Sequence, residues 1–173
     1  MIAALAPTSF GYRLLLLLHI LFIIVGFGTS FVWAVMGPIG GKMGPPVSDI
    51  FGNFALKISK YLTTWPIWAA GAFGLALGIA GGRMDETWLQ IAAPLFIVMV
   101  LFAAFVHVPN LTKLVELGNQ LTAGGPPAGG AAGGPPPQLA EIQQRGAAAG
   151  RNGGILHLAF LVMLVLMVWQ PGA

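Results

Sequence analysis

The 173-residue sequence contains no cysteine. That excludes a disulfide framework, a thiolate metal site and a cysteine nucleophile. Charge is almost as scarce: 8% of residues are charged, against about 25% in soluble domains. The five carboxylates, Asp49, Asp85, Glu86, Glu116 and Glu141, all lie outside the apolar runs, so no buried acid and base pair is available for hydrolysis within a membrane. The serines are Ser9, Ser30, Ser48 and Ser59, and none sits in a nucleophile elbow. A phosphate-cradling loop is also missing, because the glycines of residues 124–137 have neither a preceding strand nor a Lys-Ser or Lys-Thr ending.

What the chain has in quantity is apolar length. Hydrophobic residues make up 57% of it, and of four apolar runs the first and third cross the roughly 30 Å hydrocarbon layer as helices at about 1.5 Å per residue, while the shorter second and fourth do so when extended into their flanks. Lipid offers no water to an unpaired amide, so helices are expected in place of open strands. The expectation is an all-α polytopic membrane protein, a single domain over 1–173. Its bundle has four transmembrane helices at about 14–37, 61–82, 88–108 and 152–170. The first run follows Arg13 but is too long for the core of a signal peptide and lacks a convincing cleavage pattern, which makes it a retained span.

With four spans, Arg13 and Arg83 share one side with both termini. Lys42, Lys57, Lys60, Lys113, Arg145 and Arg151 share the other. The positive-inside rule then places both long loops in the cytoplasm and both termini outside. Tyr12, Trp88 and Trp169 fall at the outer boundary and Trp33, Tyr61, Trp65 and Trp68 at the inner one, as an aromatic belt would. The formal charge of +3 reads as topology and contact with anionic headgroups, with no nucleic-acid footprint.

The first cytoplasmic loop opens on breakers and then turns amphipathic over 48–60. Ile50, Phe51, Phe54, Ile58 and Tyr61 fall at helical spacing, with Asn53, Lys57 and Lys60 on another face and Ser48 or Asp49 as a cap. An interfacial helix feeding the second span is the expectation. The second loop carries a Gly/Pro linker at 124–137, flanked by short helical patches. Pro94 is expected to kink the third span, and Pro109 to do the same at its inner end.

Two constellations stand out within the spans. Ala70, Gly74, Gly78 and Gly82 recur every four residues, a small-residue ladder that lets another helix approach closely. It serves packing inside the chain, self-association or a membrane-protein partner. The second is three histidines. His19 sits among leucines, about 9 Å inside the outer boundary at helical rise, while His107 and His157 share a depth near the cytoplasmic ends of their spans. Imidazole can ligate haem or copper, and it can equally peg helices together by bonding a carbonyl or hydroxyl. Met163 and Met167 reach roughly the depth of His19, which would complete a soft thioether and imidazole set for copper. Cofactor ligation by His107 and His157, metal ligation by His19, Met163 and Met167, and no cofactor as the default are therefore carried together.

The early histidine in LLHILFIIVGFGTSFVW, the loop helix feeding YLTTWPIWAAGAFGLALGIAGG and the terminal MVWQPG resemble the integral membrane proteins grouped as domain of unknown function 2269. The chain departs from that pattern at the linker of 124–137 and at Gln170, where a basic residue is expected. The resemblance implies a four-helix protein of the bacterial inner membrane with no established activity. A looser likeness to the copper-resistance D type of membrane domain keeps haem or copper handling in view. The functional expectation is an accessory or assembly subunit without a catalytic site; the alternative is a haem b or copper-handling redox protein.

Overall fold

A computed structural model describes residues 5–44, 47–123 and 137–173, and all its regular structure is helical. Six α-helices run in the order α1 (Phe10–Lys42), α2 (Val47–Ile58), α3 (Trp65–Ala80), α4 (Thr87–Phe102), α5 (Val108–Ala123) and α6 (Pro137–Trp169). Two π-helical turns, Ser59–Thr64 and Ala103–His107, join α2 to α3 and α4 to α5. Four continuous helical rods result, Phe10–Lys42, Val47–Ala80, Thr87–Ala123 and Gln138–Trp169, each long and apolar enough to cross a membrane. This is a multi-pass membrane architecture. Large apolar side chains cover its outside, among them Ile24, Val98 and Leu158, each more than 60% exposed. Such a surface suits acyl chains and would drive association in water.

At the loop end the observed helices run beyond the expected spans, to Lys42, from Val47, to Ala123 and from Pro137. The patches flanking the second loop are helical, as read from the sequence, but they fuse with the spans as α5 and the start of α6. The linker of 124–137 lies outside the described residues, apart from Pro137, where α6 begins. Ser48 and Asp49 stand in the first turn of α2 and not at its cap. Asp49 still complements the helix dipole there, and its carboxylate accepts from the Thr122 hydroxyl of α5.

Both π-helical turns have one physical origin. Proline lacks the N–H that would bond the carbonyl four residues back, and its ring crowds that carbonyl. Pro66 and Pro109 each lie two residues beyond a π-helical turn. The wider turn redistributes the bonds: Val108 N–H reaches the Ala103 carbonyl five residues back, and Thr64 Oγ1 donates to the Ser59 carbonyl at 2.8 Å.

The closest pairing is α1 against α3. Gly26 permits it, since a Cβ there would lie 2.8 Å from Ile67 Cγ1 and 3.2 Å from the Ile67 backbone nitrogen. Phe22 stacks on Phe73, and the Thr29 and Thr63 hydroxyls meet at 3.0 Å. One core cluster joins Phe27 of α1, Met99 of α4 and Met163 of α6; a second joins Trp88, Leu89 and Ala92 of α4 to Leu166 and Met167 of α6. At the other end α2 packs on α1 and α5. Phe51 fills the space beside Gly40, and Asn53 and Asn119 exchange side-chain hydrogen bonds of 2.8 and 3.3 Å.

The turn between α3 and α4 is clasped to the C-terminus. Arg83 Nε donates to Glu86 Oε1 at 2.7 Å and Arg83 Nη2 to Gln170 Oε1 at 2.6 Å, while its guanidinium lies 5.3 Å from the Trp88 ring. Gln170 thus accepts from Arg83, and a basic residue at that position would meet a like charge. The Arg83 hydrogen bond holds the Glu86 carboxyl below the ordinary carboxylate range. A carboxyl whose folded value is depressed stabilises fully above its unfolded value, and that contribution is lost as pH falls through the folded value. Acidification through the lower carboxylate range is therefore expected to loosen the turn and tail. Fluorescence of Trp88 and Trp169 should report a transition that E86Q abolishes.

Candidate functional site

The three histidines occupy two separate places. On α1, His19 Nδ1 lies 2.8 Å from the Ala70 carbonyl of α3. A carbonyl only accepts, so Nδ1 carries the proton and Nε2 keeps the lone pair. The ring rests on Gly74, where an added Cβ would come within 2.8 Å of His19 Cε1 and 3.1 Å of Nδ1. Two rungs of the ladder, Ala70 and Gly74, thereby receive one imidazole.

The third rung is also covered within the chain: a Cβ at Gly78 would meet Leu89 Cδ2 at 2.7 Å and Met84 Sδ at 3.3 Å. Next to the ladder, the ring of Phe96 covers Gly71. Gly82 is a correction to the ladder. It lies beyond the end of α3, at φ 65°, and forms the turn. A Gly-Gly pair at 81–82 is a helix stop, and that signal outranks the four-residue spacing.

His157 faces α1. Its Nε2 is 3.1 Å from Ser30 Oγ, and its ring stacks on Phe31 with centroids 4.3 Å apart and planes 17° from parallel. Ser30 Oγ also lies 2.7 Å from the Phe27 carbonyl, which takes the hydroxyl proton. Nε2–H of His157 therefore donates to Ser30, and Nδ1 is left with the lone pair.

His107 closes the second π-helical turn. Its ring approaches α6 at Gly153, one turn before His157, with Cε1 4.0 Å from where a Cβ of that residue would stand. His157 stands on the next turn of α6 beyond that contact. The common depth of the two histidines, read from the sequence, thus becomes proximity in the fold. His107 Nδ1 is buried and, among the described residues, has no hydrogen-bond partner.

Met163 is 6% exposed and packs with Phe27 and Met99, while Met167 bridges the two core clusters. His19 is bonded to α3. Among the described residues no three histidine, aspartate or glutamate side chains converge into a group able to hold a metal ion. Sequence reasoning did not single out Ser30 and Phe31 as the partners of His157, nor Gly26 as the closest helix contact. For Ser30 the available signal was a hydroxyl inside an otherwise apolar run. For Gly26 it was the recurrence of small residues every four along the first span, at Gly26, Ser30 and Ala34. Comparison with protein-family models, with curated proteins and with solved structures finds no match to this chain.

Proposed function

We propose that this chain is an accessory or assembly subunit of the bacterial inner membrane, without a reaction centre of its own. The observation that carries this reading is the use of its intramembrane imidazoles as pegs. His19 donates to the Ala70 carbonyl over Gly74, and His157 donates to Ser30 while stacking on Phe31. Each ring ties α1 to another helix, which is the role a neutral histidine fills when no ligand claims it. The resemblance to the domain of unknown function 2269 proteins supports the same reading, as does the absence of carboxylates from the apolar runs.

In this reading both termini face out and the loops face the cytoplasm, supported by six cations at the loop end against Arg13 and Arg83 at the other. Helix α2 lies at the inner interface. Ile50, Phe54 and Tyr61, each more than half exposed, turn toward acyl chains while Lys57 and Lys60 reach the headgroups. With the small-residue face of α3 occupied inside the chain, an outside partner meets the subunit through α2 and the exposed aromatic side chains after it.

A second reading, a haem b or copper-handling protein, is favoured by one observation: the buried Nδ1 of His107, without a hydrogen-bond partner among the described residues, on a ring that meets α6 one turn before His157. A dithionite-reduced minus oxidised visible spectrum, with iron and copper counted on the same gently solubilised sample, separates the two. Protein expressed with ample haem and copper is expected to give a featureless spectrum and well under one metal per chain. Sharp haem bands or stoichiometric metal would overturn the subunit reading.

A further inference from the structure

A groove of about 460 Å³ opens between α5 and α6 at the loop end of the bundle, lined in part by Phe105, Val106, Lys113, Arg145, Arg151 and Asn152. Its residues are layered by depth. Phe105 is 75% exposed and Val106 44%, on the last turn of the apolar span. Lys113 lies five residues beyond Val108 on a continuous helical rod, about 7.5 Å further out at helical rise. Arg151 stands four residues before Ile155, where the unbroken apolar stretch of α6 begins, about 6 Å further out at helical rise. The headgroup layer adds roughly 5–7 Å to each side of the hydrocarbon, so these two cations stand at headgroup depth directly above an apolar strip.

The three cations of the groove differ in how far carboxylates of the protein offset them. Arg145 is engaged: it pairs with Glu141 at 2.8 Å, and Asn110 holds its backbone carbonyl at 3.0 Å, which fixes the spacing of α5 and α6. Lys113 has only an exposed contact to Glu116 at 3.2 Å, of the kind worth little in water. Arg151 is exposed and has no ionic partner among the described residues. Asn152, 5% exposed, adds an amide at the back of the groove.

We infer that this groove is a binding site for an anionic phospholipid of the surrounding leaflet. Lys113 and Arg151 hold the phosphodiester, and an acyl chain lies along Val106 and Phe105. Charge complementarity selects this occupant. A zwitterionic lipid brings its own cation, which these two side chains would repel, whereas an anionic headgroup neutralises them and leaves its tail where the protein is apolar.

The test is native mass spectrometry of the full chain, released from nanodiscs of equal parts phosphatidylglycerol and phosphatidylcholine. Wild type is expected to retain phosphatidylglycerol preferentially. K113Q/R151Q should lose that preference by roughly ten- to thirtyfold, from about three- to fivefold per cation. K113R/R151K keeps the charge and should keep the preference, which guards against a folding defect in the glutamine pair. K57Q/K60Q removes two cations at the same end but outside the groove and should change retention less than threefold. Equal retention of the two lipids would overturn the proposal, and so would undiminished preference in K113Q/R151Q or an equal loss in K57Q/K60Q. Displacement of the bound lipid by millimolar inorganic phosphate would also overturn it, since the acyl strip would then contribute nothing.

Discussion

Replacing Gly26 with leucine is expected to separate α1 from α3 and to cost the fold about 3 kcal/mol or more. The added Cβ alone would come 2.8 Å from Ile67 Cγ1 and 3.2 Å from the Ile67 nitrogen. The first of these can yield only by moving a branched side chain near its root, and the second only by moving backbone. G26A should already lose about 1–3 kcal/mol, the usual cost of forcing one extra group into a packed contact. G28L, two residues away where nothing lies within 4 Å, should be neutral or better, because leucine is the stronger helix former. Denaturation in mixed micelles, followed by circular dichroism, would rank the three. A G28L loss matching that of G26L would place the α1 and α3 contact on the wrong face of α1. The His19 peg adds a coupled test of the same interface. G74A drives a methyl into the imidazole and H19A empties the space above it. The double variant should therefore be less damaged than the two losses added together, with a coupling of about 1–2 kcal/mol.

The part of this architecture that sequence could carry was set by composition and period. Four apolar runs in a chain with 8% charge leave few alternatives to helical spans, and the spacing of Ala70, Gly74 and Gly78 marks the face on which another helix settles. The ends of the rods were not legible. A hydropathy run ends where lipid ends, while α5 and the first part of α6 continue because α2 and each other give them something to pack on. Pro109 was visible as a break in the bonding ladder, whereas Pro66 was not singled out. That the chain would widen into π-helical turns and carry on depends on which neighbours hold it straight.

Helix rotation hid most of the candidate site. A depth along a helix follows from counting residues, so the shared level of His107 and His157 could be read. The direction in which an imidazole points depends on packing over the whole length of its helix. His19 turns toward α3, whereas Met163 turns to Phe27 and Met99. Equal depth therefore did not imply a common centre for His19 and the methionines. Ser30 illustrates the same limit from the other side, because a hydroxyl in an apolar run marks a bond to be made and does not name its partner.

His107 decides between the two functional readings, and its replacement by leucine has opposite expected outcomes under them. A buried nitrogen without a partner costs about 1–3 kcal/mol, most of which is recovered when an apolar side chain of similar size takes its place. In a subunit whose histidines are pegs, His107 keeps a buried Nδ1 with no hydrogen-bond partner among the described residues. H107L should then raise stability by about 1–2 kcal/mol, while H157L, which breaks the bond to Ser30 and the stack on Phe31, should lower it by about 1–3 kcal/mol. In a protein that carries haem or copper on this pair, both variants lose the ligand, and the holoprotein loses stability with each. The sign of the H107L change in protein prepared with haem and copper present therefore tests the role of the site without any assay of activity. A gain leaves His107 as a tolerated imperfection next to a packing contact, and a loss comparable to that of H157L makes the two imidazoles a working pair.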